Sequence, residues 1–387
     1  MSIEPRLVIL QPTALCNLNC TYCYVPNRRD ATRMSDPVLE AAASFVFACD
    51  LTEGGVEFLW HAGEPLSAGL PFFRRAFALL AARAPAGVAV RHTVQTNGTL
   101  VTPAWCDLFS EYRVSVGLSI DGPPEIHNLS RQTWAGRGTH DKVMSGYRLL
   151  RDAGMAPAAL CVLTRESLKH PDRIYDFFKD AGFKAVAFNV EESEGLHVRS
   201  ALQDVDVQEV CALYESFMRR LWRRWRADES RMVIREFQQV VDCVRRLRND
   251  STFVRDPPEV VPFRIITIRS DGALSTFSPE LISTKSTQYE DFVLGNVLTE
   301  TPTNVAESLA FRRLDNDVTA GRSRCKESCQ YYALCGAQFQ SNRFAEHESL
   351  LATETLTCRL HRQILTDVVV DELITETRAL ANEHPIS

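Results

Sequence analysis

Cys16, Cys20 and Cys23 stand within eight residues, in the stretch Leu15-Cys16-Asn17-Leu18-Asn19-Cys20-Thr21-Tyr22-Cys23-Tyr24. A closed [4Fe–4S] cluster takes four thiolates, so three in one loop would leave one iron open to a small molecule. A zinc site would want a fourth nearby cysteine or histidine, and His61 is the next histidine. Three unrelated buried thiols would have no reason to gather so tightly. A second set, Cys325-x3-Cys329-x5-Cys335-x22-Cys358, supplies four thiolates. That number satisfies one closed [4Fe–4S] cluster or one tetrahedral zinc. Cys49, Cys106, Cys161, Cys211 and Cys243 sit in apolar or helical surroundings, where free cysteine packs as a small hydrophobe.

The first cysteine loop follows an apolar run, Leu7–Gln11, that reads as a buried strand. Further strands are expected at Val56–Trp60, His92–Thr96, Val114–Ile120, Ala158–Leu163 and Ala185–Val190. Helices are expected between them, near residues 36–49, 71–82, 103–109, 140–153 and 172–180. The first has Ser35 as its cap and Pro37 in its first turn. Gly154 and Gly182 close two others. Six strand–helix units in series imply a parallel sheet with right-handed crossovers, short of a closed eight-fold barrel. In such sheets the sites lie at the C-terminal strand ends.

Residues 200–258 read as helical and arginine-rich, with Trp222 and Trp225 interleaved. A solvated helical face is the plainer reading, and a dock for an acidic peptide segment the sharper one, since arginine favours carboxylates. Pro257-Pro258 breaks the segment. Phe263–Arg269, the Asp271-Gly272 turn and Ala273–Phe277 then form a hairpin pattern. A short strand around Phe292–Val297, a helix over Val305–Leu314 and a closing helix over Leu360–Asn382 complete the chain.

The 387 residues are 45% apolar, enough for a full core, and carry a net charge of −6 that gives no general pull towards nucleic acid. No apolar run is long enough to span a membrane, and the start lacks the features of a signal peptide. A cytoplasmic enzyme is expected. Twelve cysteines without an export signal suggest metal chemistry rather than disulfides.

The Cys-x3-Cys-x2-Cys spacing, with Tyr22 before the last cysteine, resembles the radical S-adenosylmethionine (SAM) superfamily. The resemblance implies a partial (β/α)6 TIM-like barrel in this α/β chain, a SAM-binding [4Fe–4S] cluster on Cys16, Cys20 and Cys23, and SAM itself. Trp60-His61-Ala62-Gly63-Glu64-Pro65 resembles the Gly-Gly-Glu motif that binds the SAM amino group, with Ala62 in place of the first glycine. Carried over, Gly63 and Glu64 face the ammonium, and Ser119 and Arg131 hold ribose and carboxylate. Tyr22, Asn97 and Asp121 join the cofactor-binding set, and Asn189 sits beside the adenosine. His61 and His127 read as structural.

The second cysteine set resembles the SPASM extension of peptide-modifying radical SAM enzymes, a small α+β iron–sulfur domain. A full SPASM carries two auxiliary clusters. Here the family spacings land on Phe277 and Phe339, so only the outer auxiliary [4Fe–4S] cluster is implied. Where sulfatase maturases carry an aspartate base this chain has Ser278, and Glu280 is the nearest carboxylate after it. The expected division is 1–199 barrel, 200–258 helical insert and 259–387 SPASM-like domain. Leu10-Gln11-Pro12-Thr13, Phe277-Ser278-Pro279-Glu280-Leu281, Phe292-Val293-Leu294-Gly295-Asn296-Val297 and Thr353-Glu354-Thr355-Leu356 look like the GrrM-type, cyclophane-forming maturases.

That resemblance implies abstraction of a β-hydrogen from a ribosomal precursor peptide by a 5′-deoxyadenosyl radical. The carbon radical then joins an aromatic side chain, the outer cluster taking an electron and Glu280 a proton. A flavodoxin- or ferredoxin-type donor is implied, with neither nucleic acid nor membrane as partner. The alternatives are a sulfatase-maturase-like or thioether-forming enzyme and, in another class, an iron–sulfur or zinc sensor or electron carrier.

Overall fold

The computed structural model describes residues 3–51, 54–229 and 231–383. Six parallel strands carry the first half: β1 (Leu7–Leu10), β2 (Val56–Trp60), β3 (Val90–Thr96), β4 (Ser115–Ser119), β5 (Ala158–Leu163) and β6 (Ala185–Val190). They lie side by side in sequence order, because each is followed by a helix that returns the chain to the same sheet end. The register pairs Leu10 with Trp60 and Trp60 with Val94. The strand ends that carry the motifs are thereby brought to one rim.

The sheet continues past both edges. β7 (Val233–Ile234) adds in parallel to β6, and β8 (Ile265–Ile268) adds in parallel to β1. β9 (Ala273–Thr276) and β10 (Gly295–Asn296) follow antiparallel. The expected hairpin is thus present, and it extends the barrel sheet itself. Ten strands form one sheet among the described residues.

Two apolar clusters hold this architecture. One surrounds the fully buried Trp60, which meets Phe72, Phe73 and Phe77 edge-on. Burying such rings stabilises by about 1.5–3 kcal/mol each. The other packs the helix Val207–Ala227 against β5 and β6, with Trp222 and Trp225 against Phe237. Ser35 caps the helix Asp36–Phe47 by accepting from the Val38 amide at 3.4 Å.

Several elements depart from the sequence expectations. Pro124–Ser130 is a helix for which no element was assigned from the sequence. The single helix expected at Val305–Leu314 is two, Pro302–Glu307 and Leu309–Ser328, because Ser308 caps a new helix by accepting from the Phe311 amide. The expected strand near Phe292 shrinks to Gly295–Asn296 after a turn through Glu290–Phe292. The closing helix Leu365–Glu383 is preceded by a π-helical turn, Arg359–Ile364.

In the arginine-rich segment, the first helix uses its arginines in ion pairs with neighbouring helices. Arg219 and Arg223 meet Glu372, Arg226 meets Glu376, and Arg220 meets Asp172. These pairs tie the helix Val207–Ala227 to the closing helix and to the helix Pro171–Asp180. No helix among the described residues is long and apolar enough to cross a membrane.

Candidate active site

The loop after β1 is held in place by backbone bonds before any metal enters. Cys16 N donates to Arg28 O (2.9 Å), Asn19 N to Gln132 O (2.7 Å) and Thr21 N to Ser130 O (3.0 Å). Trp134 Nε1 donates to Cys16 O at 2.9 Å. The three thiols open on one cavity of about 200 Å³ at the C-terminal strand ends. Burial, then the Glu64 carboxylate, pushes the Cys16 thiol up to about 12. Burial pushes Cys20 to about 11 against the pull of Arg131. Such thiols ionise when a metal displaces their protons. Leu18 N (3.4 Å) and Asn97 Nδ2 (3.9 Å) already point at Cys16 Sγ. All twelve cysteines are free, so the donor set fits an iron–sulfur group.

Glu64 is 1% exposed and accepts from Leu66 N (3.0 Å), Thr96 Oγ1 (2.7 Å) and Asn97 N (2.7 Å). A carboxylate has about four lone-pair sites, so a buried ammonium could still be bound. Gly63 has φ +70°, and a Cβ there would lie 2.6 Å from Thr13 O, so the chain passes too close for any side chain. Ala62 is held at φ +68°, the left-handed region that a glycine would occupy freely. The departure from Gly-Gly-Glu therefore leaves the turn intact.

Ser119 accepts from Gln95 Nε2 at 2.9 Å. Gly117 makes that possible, since a Cβ there would stand 2.0 Å from Gln95 Oε1. Gly63, Glu64, Asn97, Ser119, Arg131, Tyr22, Asn189 and Glu280 all line the same cavity as the three cysteines. Asn189 Oδ1 also accepts from Arg235 at 2.6 Å. Asp121 is placed differently. It is buried behind the wall, accepting from Arg131 Nε (3.0 Å), Val162 N (3.0 Å) and the Tyr22 hydroxyl. It therefore aims Arg131 and Tyr22 rather than facing the cavity itself. His127 Nδ1 accepts from Asp121 N at 3.3 Å, completing the support.

A second cavity, about 480 Å³, occupies the barrel interior and shares walls with the first. His61, Gln95, Asn189, Glu192, Glu194 and Glu280 border both. Sequence reasoning picked out Glu280 but missed Glu192 and Glu194. The signal was the Glu191-Glu192-Ser193-Glu194 run directly after β6. Burial, then the Glu280 charge, raises the carboxyls of Glu192 and Glu194. Burial likewise raises Glu280 to about 7. Burial lowers His61 to about 4, leaving it neutral, with Tyr24 hydroxyl 3.3 Å from Nε2.

Cys325, Cys329, Cys335 and Cys358 line one smaller cavity. Burial and Cys335 push the Cys358 thiol up to about 12, with Cys329 and Cys325 adding. Arg343, 3% exposed, donates to Cys325 Sγ at 3.0 Å and, among the described residues, has as its other hydrogen-bond partners the backbone carbonyls of Ala337 and Leu350. A buried guanidinium without a carboxylate is costly, and a set of metal-bound thiolates would balance it. The residues therefore fit an anionic thiolate–metal group. Phe277 is fully buried in the apolar core, and Phe339 lies under the Arg362 guanidinium at 5.3 Å. Neither side chain offers a ligand atom.

The fold and this rim define a class. A model of the Radical SAM superfamily matches residues 10–178. An uncharacterised Synechocystis protein is 38% identical over 95% of this chain and 92% of its own length. The chain belongs to the radical SAM superfamily and is a radical SAM enzyme. Within that class it is similar to a serine-type anaerobic sulfatase-maturating enzyme of Klebsiella aerogenes, 32% identical over 66% of this chain and 67% of that one. It is also similar to the solved structure of native anSMEcpe with bound AdoMet and Cp18Cys peptide. There the TM-score is 0.78 at 25% identity, covering 97% of this chain and 99% of that one.

Proposed function

We propose that this enzyme modifies a ribosomally made precursor peptide, joining the β-carbon of one residue to a nearby aromatic ring to close a cyclophane. The observation that carries the reading is the shared wall of the two cavities. There Glu192, Glu194 and Glu280 stand between the rim that would hold SAM and the barrel interior that would hold a peptide loop. In anSMEcpe a peptide was bound together with AdoMet, which supports a peptide substrate here.

Cys16, Cys20 and Cys23 would hold the first cluster, and Cys325, Cys329, Cys335 and Cys358 the second. When bound, SAM and these clusters supply hydrogen-atom abstraction and one-electron transfer. The chain's own residues do the remainder. Gly63 and Glu64 take the ammonium end of SAM, Ser119 and Arg131 the ribose and carboxylate, and Asn97 and Asn189 the flanks. Asp121 keeps Arg131 and Tyr22 aimed. The substrate β-carbon loses a hydrogen atom, and its bond to the ring forms as the ring loses an electron and a proton. Glu280, its proton affinity raised by burial, receives that proton at its carboxylate. Phe277 and Phe339, in place of ligands, and Ser278, in place of an aspartate base, separate this site from the sulfatase-maturase pattern.

We assign the enzyme to the cytoplasm, with a flavodoxin- or ferredoxin-type donor. Exposed Arg29 stacks on exposed Trp134 at 4.3 Å beside the Cys16 carbonyl. A second reading, a sulfatase-maturase-like enzyme, is favoured by the similarity to serine-type and cysteine-type anaerobic sulfatase-maturating enzymes. Anaerobic incubation of the enzyme, SAM and reductant with an aromatic-containing precursor peptide separates the two. A cyclophane gives loss of two hydrogens with fragmentation blocked across the aromatic residue. Modification of a serine- or cysteine-containing sulfatase peptide, with the aromatic peptide left unchanged, would establish the second reading in its place.

A further inference from the structure

The barrel cavity is not uniformly acidic. The wall away from the first cysteine loop is formed by Arg255, Arg362 and Arg235, with Glu236 and Glu259 beside them. Arg235 is already compensated: it pairs with Glu236 at 2.6 Å and donates to Asn189. Arg255 and Arg362 are not. Neither has a carboxylate within 4.0 Å among the described residues. Arg255 donates to the amide oxygens of Gln338 and Gln239, and the Gln338 amide in turn binds Glu259. Arg362 Nε is buried with no hydrogen-bond partner, and its guanidinium covers the Phe339 ring at 5.3 Å. Burial, then the like charge of Arg362, lowers the Arg255 guanidinium. The π-helical turn Arg359–Ile364 presents Arg362 here, with His361 accepting from Val190 N at 3.0 Å to fix the turn. Such turns concentrate at functional sites.

Arg362 also borders the cavity of the second cysteine set. The group there has its own guanidinium, Arg343 on Cys325 at 3.0 Å, and Arg362 has no hydrogen bond to any cysteine sulfur among the described residues. Two guanidiniums facing one cavity, one with an unused donor, match the geometry of a carboxylate. We propose that Arg255 and Arg362 form an anion subsite that takes a carboxylate of the substrate peptide. This anchors the peptide in the cavity that the three glutamates also line and rests on the peptide reading above. The carboxylate has two possible sources, an acidic side chain or the peptide's own C-terminus.

The test is calorimetric titration of the reconstituted, SAM-loaded enzyme with three acetylated tripeptides. These are Phe-Gly-Asp amide, Phe-Gly-Asn amide, and Phe-Gly-Asn with a free C-terminal carboxylate. Glutarate serves as a non-peptide dicarboxylate. Phe-Gly-Asp amide is expected to bind at least about ten-fold tighter than Phe-Gly-Asn amide, as a charge-assisted pair implies. Arg255→Gln and Arg362→Gln should each erase that margin while SAM binding and cluster absorbance stay unchanged. Arg362→Lys, which keeps the charge, should retain part of it. Tight binding of the free-carboxylate peptide would name the C-terminus as a source, and its failure would name the side chain. Equal binding of all three peptides, with and without a carboxylate, would overturn the proposal. So would an Arg362→Gln variant that alters the cluster spectrum yet keeps the margin. Arginine-dependent binding of glutarate with no binding of any peptide would uphold the subsite and instead defeat the peptide reading.

Discussion

Glu280 makes the first prediction at the scale of single residues. Its carboxyl is raised to about 7 by burial, and Glu192 to about 8 by burial and the Glu280 charge. A carboxyl whose folded pKa exceeds its unfolded one binds more protons when folded, so its stabilisation is full below the unfolded value and is lost as pH rises through the folded one. The cluster-free protein should therefore lose stability between about pH 5 and pH 8, and Glu280→Gln should flatten that slope in denaturant titrations. Activity should run the other way, since a base must be ionised. Turnover should climb through pH 7 in the wild type, and Glu280→Gln should lower it by about 10²-fold or more. A variant with wild-type turnover and profile would remove Glu280 from the base role. Arg343 makes the second. Arg343→Gln leaves Cys325 without its 3.0 Å donor, so a redox titration should show a lower midpoint for the second cluster. An unmoved midpoint would mean that Arg343 only packs. Glu280 was visible in the sequence by counting from a turn. Glu192 and Glu194 were signalled only by the acidic run after β6, and Arg343 not at all, because nothing in a linear string says which buried charge meets which thiol.

At the scale of elements, legibility followed the source of each element's stability. β2, β5 and β6 stand at the residues their apolar runs indicated, since buried parallel strands are specified by their own composition. The break at Ser308 and the π-turn at Arg359–Ile364 depend on tertiary partners instead. His361 is held by Val190 and Tyr214 across more than a hundred residues of chain, and no local pattern announces that. The helix Val207–Ala227 depends on the closing helix in the same way. Glu372, 6% exposed, accepts from Arg219 and Arg223. Glu372→Gln should cost about 1–2 kcal/mol in denaturant unfolding, discounted from a fully buried pair because Arg223 is largely exposed. A loss within error would show that the apolar contacts alone join these helices.

Over the whole molecule, the sheet unites what the sequence divided. Residues expected in the C-terminal domain supply β8, which pairs with β1, so the segment bearing Ser278 and Glu280 follows strands that extend the sheet at its β1 edge. That adjacency puts Glu280 on both cavities, and no spacing along the chain could have shown it. The two cysteine sets should hold about eight irons per chain, and Cys358→Ala about four. An iron content of four with one zinc in the wild type would instead assign the second set to a structural metal.

The central claim is that the rim and the barrel interior act as one site, on SAM and on a peptide. It is tested most directly by measuring 5′-deoxyadenosine and peptide mass together under anaerobic reduction, with a precursor peptide encoded beside this gene. The account predicts 5′-deoxyadenosine formation that increases with peptide, one equivalent per loss of two hydrogens, with fragmentation blocked across an aromatic residue. Formation of 5′-deoxyadenosine at a rate indifferent to every peptide, with all masses unchanged, would contradict it.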